Sequence, residues 1–137
     1  MNINISILTK ASIAIIVGIG LILFSLFGFK YTIQFIRRAS SAKGIIIDLR
    51  REIDKDSEVS YYPVFKYETQ QEIIIQKTSG IGTNRTPYYI GQKVNVLYNP
   101  NNPNEAAINS FLDLWLTPIV SGFFGILLVV IGLANLN

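Results

Sequence analysis

The sequence predicts an α+β membrane protein in which two transmembrane helices flank a small antiparallel β-domain, an OB- or SH3-like barrel or sandwich of about five strands. Three observations carry this. Ala11–Phe29 and Leu114–Asn137 are uncharged runs of nineteen and twenty-four residues. Twenty of the 21 charged side chains lie between Lys30 and Asp113. From Gly44 onward the hydrophobic period is two, the period of a half-buried strand. The 15% charge, against about 25% in a soluble domain, is therefore a local deficit confined to two segments. A chain of 137 residues without cysteine excludes a large enzyme, a multidomain protein and a disulfide scaffold.

Residues 1–10 read as an amino-terminal tail and residues 11–29 as the first transmembrane helix, bracketed by Lys10 and Lys30. About 20 apolar residues cross a hydrocarbon core, so this run is just long enough. It exceeds the usual apolar region of a cleaved signal, and the first small-residue pair, Ser40 and Ala42, lies beyond Arg37 and Arg38, so the segment reads as a retained anchor. Ile33 and Ile36 at helical spacing carry the helix on to about residue 42. Lys30, Arg37 and Arg38, with Trp115 at the second span, are the candidate contacts to lipid headgroups. Ala11, Ala14, Gly18, Ser25 and Gly28 form one stripe of small residues, and Ser121, Gly125 and Gly132 another. Such stripes let helices approach closely, either as a hairpin within the chain or between copies.

Residues 43–109 form the soluble β-domain. Ile45, Ile47 and Leu49 alternate with Ile46, Asp48 and Arg50; Tyr61, Pro63, Phe65 and Tyr67 with Tyr62, Val64 and Lys66; Val94, Val96 and Tyr98 with Asn95 and Leu97. Glu72–Lys77 follows as a hairpin partner, and Ala106–Ile108 adds a short edge. Arg50–Glu58 reads as a solvated charged loop, and Thr78–Pro87 as a flexible one. Residues 110–136 are a capping turn and the second transmembrane helix. Thr117 before Pro118 is its expected cap, with Ser110 and Asp113 as the weaker pair.

Ala42-Lys43-Gly44-Ile45-Ile46-Ile47-Asp48-Leu49, Tyr61-Tyr62-Pro63-Val64-Phe65-Lys66-Tyr67 and the run Gly91–Pro103 with its V-x-V-x-Y-x-P-x-x-P spacing together resemble a prokaryotic two-span membrane family known only as a domain of unknown function. The resemblance covers residues 11 to 133 and implies an architecture but no activity, substrate or catalytic residue. It departs at the hairpin, where the family shows Asp-Gly or a similar turn and this chain has Gln70-Gln71.

The chain has no histidine and no cysteine, so its serines lack the usual activating base and no transition-metal set of the His/Cys type exists. The expectation is a non-enzymatic protein without cofactor or metal. Eleven Lys and Arg against nine Asp and Glu in the middle are too balanced to track nucleic-acid phosphates. The expected partners are the lipid bilayer and a protein or a second copy of the chain, met through Tyr62, Tyr88 and Tyr89 with Asn84 and Arg85 of the neighbouring loop. Basic residues cluster after the first span, which puts the β-domain on the cytoplasmic side of the cell membrane and both termini outside. The function expected is a membrane-anchored accessory or immunity-type interaction module. A transport or channel subunit is the alternative, and a membrane hydrolase a weaker one.

Overall fold

The computed structural model describes residues 5–136. The order is α1 (Ile5–Arg38), β1 (Ser40–Ile53), β2 (Val59–Glu68), β3 (Ile74–Thr78), β4 (Lys93–Asn99), β5 (Asn102–Ile108) and α2 (Phe111–Ala134). The chain divides into two compact units, residues 34–114 and a helical unit made of the remaining parts of α1 and α2. Of the expected amino-terminal tail, Ile5–Lys10 is helical and residues 1–4 lie outside the described residues. The helix does not reach residue 42. It ends at Arg38, because Ser40–Ile45 pairs as a strand with β4.

Both helices are long and apolar enough to cross a membrane. In the helical unit they pack as an antiparallel pair along the small-residue stripes, in steps of seven residues: Ala11 with Gly132, Gly18 with Gly125, Ser25 with Pro118. The fit is backbone to backbone. A Cβ at Gly18 would stand 2.7 Å from the Gly125 carbonyl oxygen, and one at Gly125 would stand 2.8 Å from that of Gly18. Such an approach tolerates only glycine on both sides, and the dispersion it gains is what holds helices together where surrounding lipid is as apolar as they are. Ser25 Oγ donates to the Pro118 carbonyl at 2.6 Å, and the Phe29 and Trp115 rings meet at 6.0 Å. Large side chains such as Ile16, Phe27, Phe123 and Ile126 turn outward.

The sheet is antiparallel in the order β3-β2-β1-β4-β5. It curls so that its two edges approach, with Lys77 Nζ donating to the Asn104 carbonyl at 3.0 Å, and so makes a five-stranded near-barrel. The curl is built into β1. Gly44 sits where a Cβ would lie 2.7 Å from Val96 Cγ2 and 3.0 Å from the Lys66 carbonyl oxygen. Just beyond it, Ile46 pairs with Phe65 but Asp48 with Val64, leaving Ile47 as a bulge. A bulge bends a strand and switches which residues face inward. Ahead of the bulge Ile46 is fully buried and Ile45 exposed, and beyond it Leu49 rather than Asp48 packs against the core.

Ile46, Phe65, Tyr67, Val96, Tyr98, Ala106 and Ile108 fill the barrel. Burying each large apolar side chain contributes about 1.5 to 3 kcal/mol. Two hairpins share one device. At β1–β2, Ser57 N–H donates to Asp54 C=O, Ser57 has φ +61°, and Asp54 Oδ1 accepts from the Asp56 and Glu58 amides. At β2–β3, Glu72 N–H donates to Thr69 C=O, Glu72 has φ +64°, and Thr69 Oγ1 accepts from Ile73. Each is a three-residue loop closed by a left-handed residue, a place glycine usually takes. The expected charged loop thus shrinks to a tight turn, because Arg50–Ile53 belongs to β1. Likewise Pro100-Asn101 is a turn between β4 and β5, whose strand begins at Asn102 rather than Ala106.

Candidate functional site

Helix α2 begins at Phe111, earlier than the sequence suggests. Ser110 is its cap: Asp113 N–H donates to Ser110 Oγ at 3.3 Å, and Ser110 Oγ donates to Asp113 Oδ2 at 2.8 Å. Thr117, the expected cap, lies inside the helix, which leaves Pro118 within it. The cap is also the centre of a part-buried polar network. Ser79 Oγ donates to Asp113 Oδ1 at 2.6 Å, and the Tyr88 hydroxyl lies 2.9 Å from both Asp113 Oδ2 and Ser110 Oγ. Burial, with the Asp113 charge beside it, pushes the Tyr88 phenol up to about 12, against a smaller lowering by the Ser110 contact. Both oxygens of Asp113 are thereby occupied by hydroxyls of its own domain. The arrangement fastens the β3–β4 connection to the first turn of α2.

Tyr88, expected on an exposed rim, is therefore a core residue, 9% exposed. A tyrosine pair in extended chain must split its two rings between opposite faces, and here it is Tyr88 that goes inward. Tyr62 is half-buried, its ring covered by Gly82, where a Cβ would fall 2.4 Å from the ring carbon bearing the hydroxyl. Tyr61 and Thr83 pair across the same junction, so part of the loop expected to be flexible is held to β2. Asn84, Arg85 and Tyr89 are exposed. Tyr89 opens a turn closed by Gln92 N–H to its carbonyl at 3.1 Å, with Gly91 at φ +92°, which a type II turn demands of its third residue. That turn is pinned to β1 through Gly91 N–H and Ile46 C=O at 2.7 Å. Lys30, Arg37 and Arg38 are exposed on α1, and Trp115 is half-buried against Phe29.

The outer face of the sheet carries a feature the strand alternation did not single out. An open groove of about 530 Å³ is lined by Lys43, Ile45, Lys66, Glu68, Ile74 and Lys93. Ile45 pairs with Lys66 on one side and with Lys93 on the other, while Lys43 stands two residues along the same strand. The three lysines are exposed, and none belongs to an ion pair among the described residues. At the barrel's closing edge, burial lowers the Lys77 ammonium, partly opposed by Glu105. Inside, Tyr67 donates to the Pro103 carbonyl, and burial with Tyr98 beside it pushes its phenol up to about 12.

The fold and these sites define a class: a five-stranded near-barrel carried between two helices that can span a membrane. A family model described as a domain of unknown function, DUF3592, matches residues 42–113, and the chain belongs to this family. The match runs from β1 to Asp113, so it takes in the barrel and the cap of α2. No curated protein and no solved structure matches the chain.

Proposed function

We propose that this protein is a multi-pass anchor of the cytoplasmic membrane whose β-domain, on the cytoplasmic side, acts as a non-enzymatic accessory module that binds through its outer surface. The observation that carries this reading is the use of the small-residue stripes. Gly18 and Gly125 close on each other within one chain, so the stripes serve a hairpin rather than the lining of a pore. The outward face of that hairpin is made mainly of large apolar side chains, and no ionisable residue lies between Lys10 and Lys30 or after Asp113, as suits an anchor rather than an ion path. In the β-domain the Asp113 carboxylate, the acid best placed for chemistry, is taken up in fastening the fold. That supports a role for the outer surface over a catalytic one.

Fractionation and labelling test this. The chain should stay with membranes through alkaline carbonate, and Asn101→Cys should resist an impermeant thiol reagent in intact cells and react after lysis. Release by carbonate would refute the anchor, and labelling of intact cells would reverse the orientation. The cysteine-free background permits a second check. Ser25→Cys with Gly122→Cys should form a disulfide within one chain, since a Cβ at Gly122 would lie 3.4 Å from that of Ser25, close to the roughly 3.5 to 4.5 Å a disulfide spans.

A further inference from the structure

We propose that the groove bounded by Lys43, Lys66 and Lys93 docks the phosphate of an anionic phospholipid headgroup, with Ile45 and Ile74 against the glycerol end of the lipid. This rests on the reading of the chain as a membrane anchor and names what the β-domain's surface binds. Ile45 lies between Lys66 and Lys93 in strand register. Strands about 4.8 Å apart therefore set those two lysines about 9.6 Å apart on opposite sides of Ile45, a span their long side chains can close onto one phosphate. Lys43 closes a third side from two residues along β1. Glu68 is the acidic residue in the lining, so the groove keeps a net positive charge.

The choice of side chain also matters. The arginine fork demands a fixed bidentate geometry of its anion, whereas lysine binds phosphate as a mobile point charge, so three lysines can converge on a headgroup that is itself mobile. The floor is apolar rather than polar, with Ile74 64% and Ile45 37% exposed, which costs free energy in water and suits a ligand that is charged at one end and apolar at the other. Thirteen residues separate Phe29, the last of the uncharged run, from Lys43. Covalent attachment to an anchor so near in sequence keeps headgroups at high effective concentration around the domain, so even weak sites fill.

The test uses the full chain in nanodiscs of phosphatidylcholine, with and without phosphatidylglycerol, and reads lysine acylation rates residue by residue by mass spectrometry. Lys43, Lys66 and Lys93 should react about fivefold more slowly when phosphatidylglycerol is present, an effect that added salt weakens. Lys55, in the β1–β2 turn, should change little. Equal rates at the three lysines in both discs overturn the proposal. Equal protection by dissolved glycerol phosphate in phosphatidylcholine discs also overturns it and assigns the groove to a soluble anion. Protection found only in native membranes overturns it in favour of an acidic protein. Lys66→Glu should restore fast acylation of Lys43 and Lys93 without shifting the unfolding midpoint, and retained protection there would count against the site. Should Lys66→Glu not fold, Lys93→Gln, read at Lys43 and Lys66, serves the same purpose. Failure of the anchor reading shows itself separately, as carbonate release, whatever the acylation rates.

Discussion

In the helical hairpin the two helices meet backbone to backbone at Gly18 and Gly125, whereas the barrel core is packed ring to ring, with Tyr67 and Tyr98 centred 5.5 Å apart. The contrast is what two solvents would produce, with the helical unit in lipid as proposed above and the barrel in water. In lipid a large apolar side chain gains nothing by turning from hydrocarbon to a neighbouring helix, so interfaces are made by removing side chains until main chains touch. In water each buried ring removes apolar area from solvent, so the interior is made by adding them, provided every hydroxyl finds a partner. Tyr67, Tyr88 and Tyr98 meet that condition through Pro103, Asp113 and the Gln70 amide. One chain thus uses the smallest residues as the core of one unit and the largest as the core of the other.

That contrast can be broken from either side. Phe65→Ala should cost the barrel about 3 to 5 kcal/mol, seen as lost protease resistance of residues 40–108, while the Ser25–Gly122 cysteine pair still oxidises. Gly18→Leu should act conversely, costing the hairpin about 1 to 3 kcal/mol and suppressing that disulfide while the barrel keeps its protease resistance. A change that spreads to both units would show that they do not pack independently.

Smaller changes sharpen the same picture. Tyr88→Phe keeps the ring but removes a donor to Asp113, which retains Ser79 and Ser110, so a loss of about 1.5 kcal/mol in barrel stability is expected by denaturant titration. Alkaline titration should show the same phenols. Their folded values lie above the ordinary 10, so the stability they confer is fully present below pH 10 and is lost as pH rises toward 12. In the Tyr88→Phe variant that alkaline loss should be smaller. Glu72→Gly should stabilise the barrel by about 0.5 to 1 kcal/mol, read as a higher denaturation midpoint, because the residue at φ +64° would no longer carry a Cβ.

What the sequence determined by itself was everything carried by long runs and simple periods. Two uncharged stretches gave two helices able to span a membrane, and alternation from Gly44 to Tyr98 gave an antiparallel domain between them. Glycine and proline marked several of the bends. The tertiary structure decided the faces, because a strand's period is two and one extra residue reverses it. The register of β1 with β2 and β4 put Ile46 inside and Ile45 out, on the face that carries the groove with its three lysines, and the bulge at Ile47 then turned Leu49 rather than Asp48 toward the core. It also decided the fate of the tyrosines, since adjacent rings point to opposite sides and only the packed sheet determines which one goes in. The cap of α2 was chosen in the same way. Thr117 before Pro118 was locally the stronger signal and Ser110 with Asp113 the weaker, but Asp113 in the first turn could also accept from Ser79 and Tyr88, residues 34 and 25 positions earlier in the chain. Contacts over that separation exist only once the barrel has closed, and no local pattern records them.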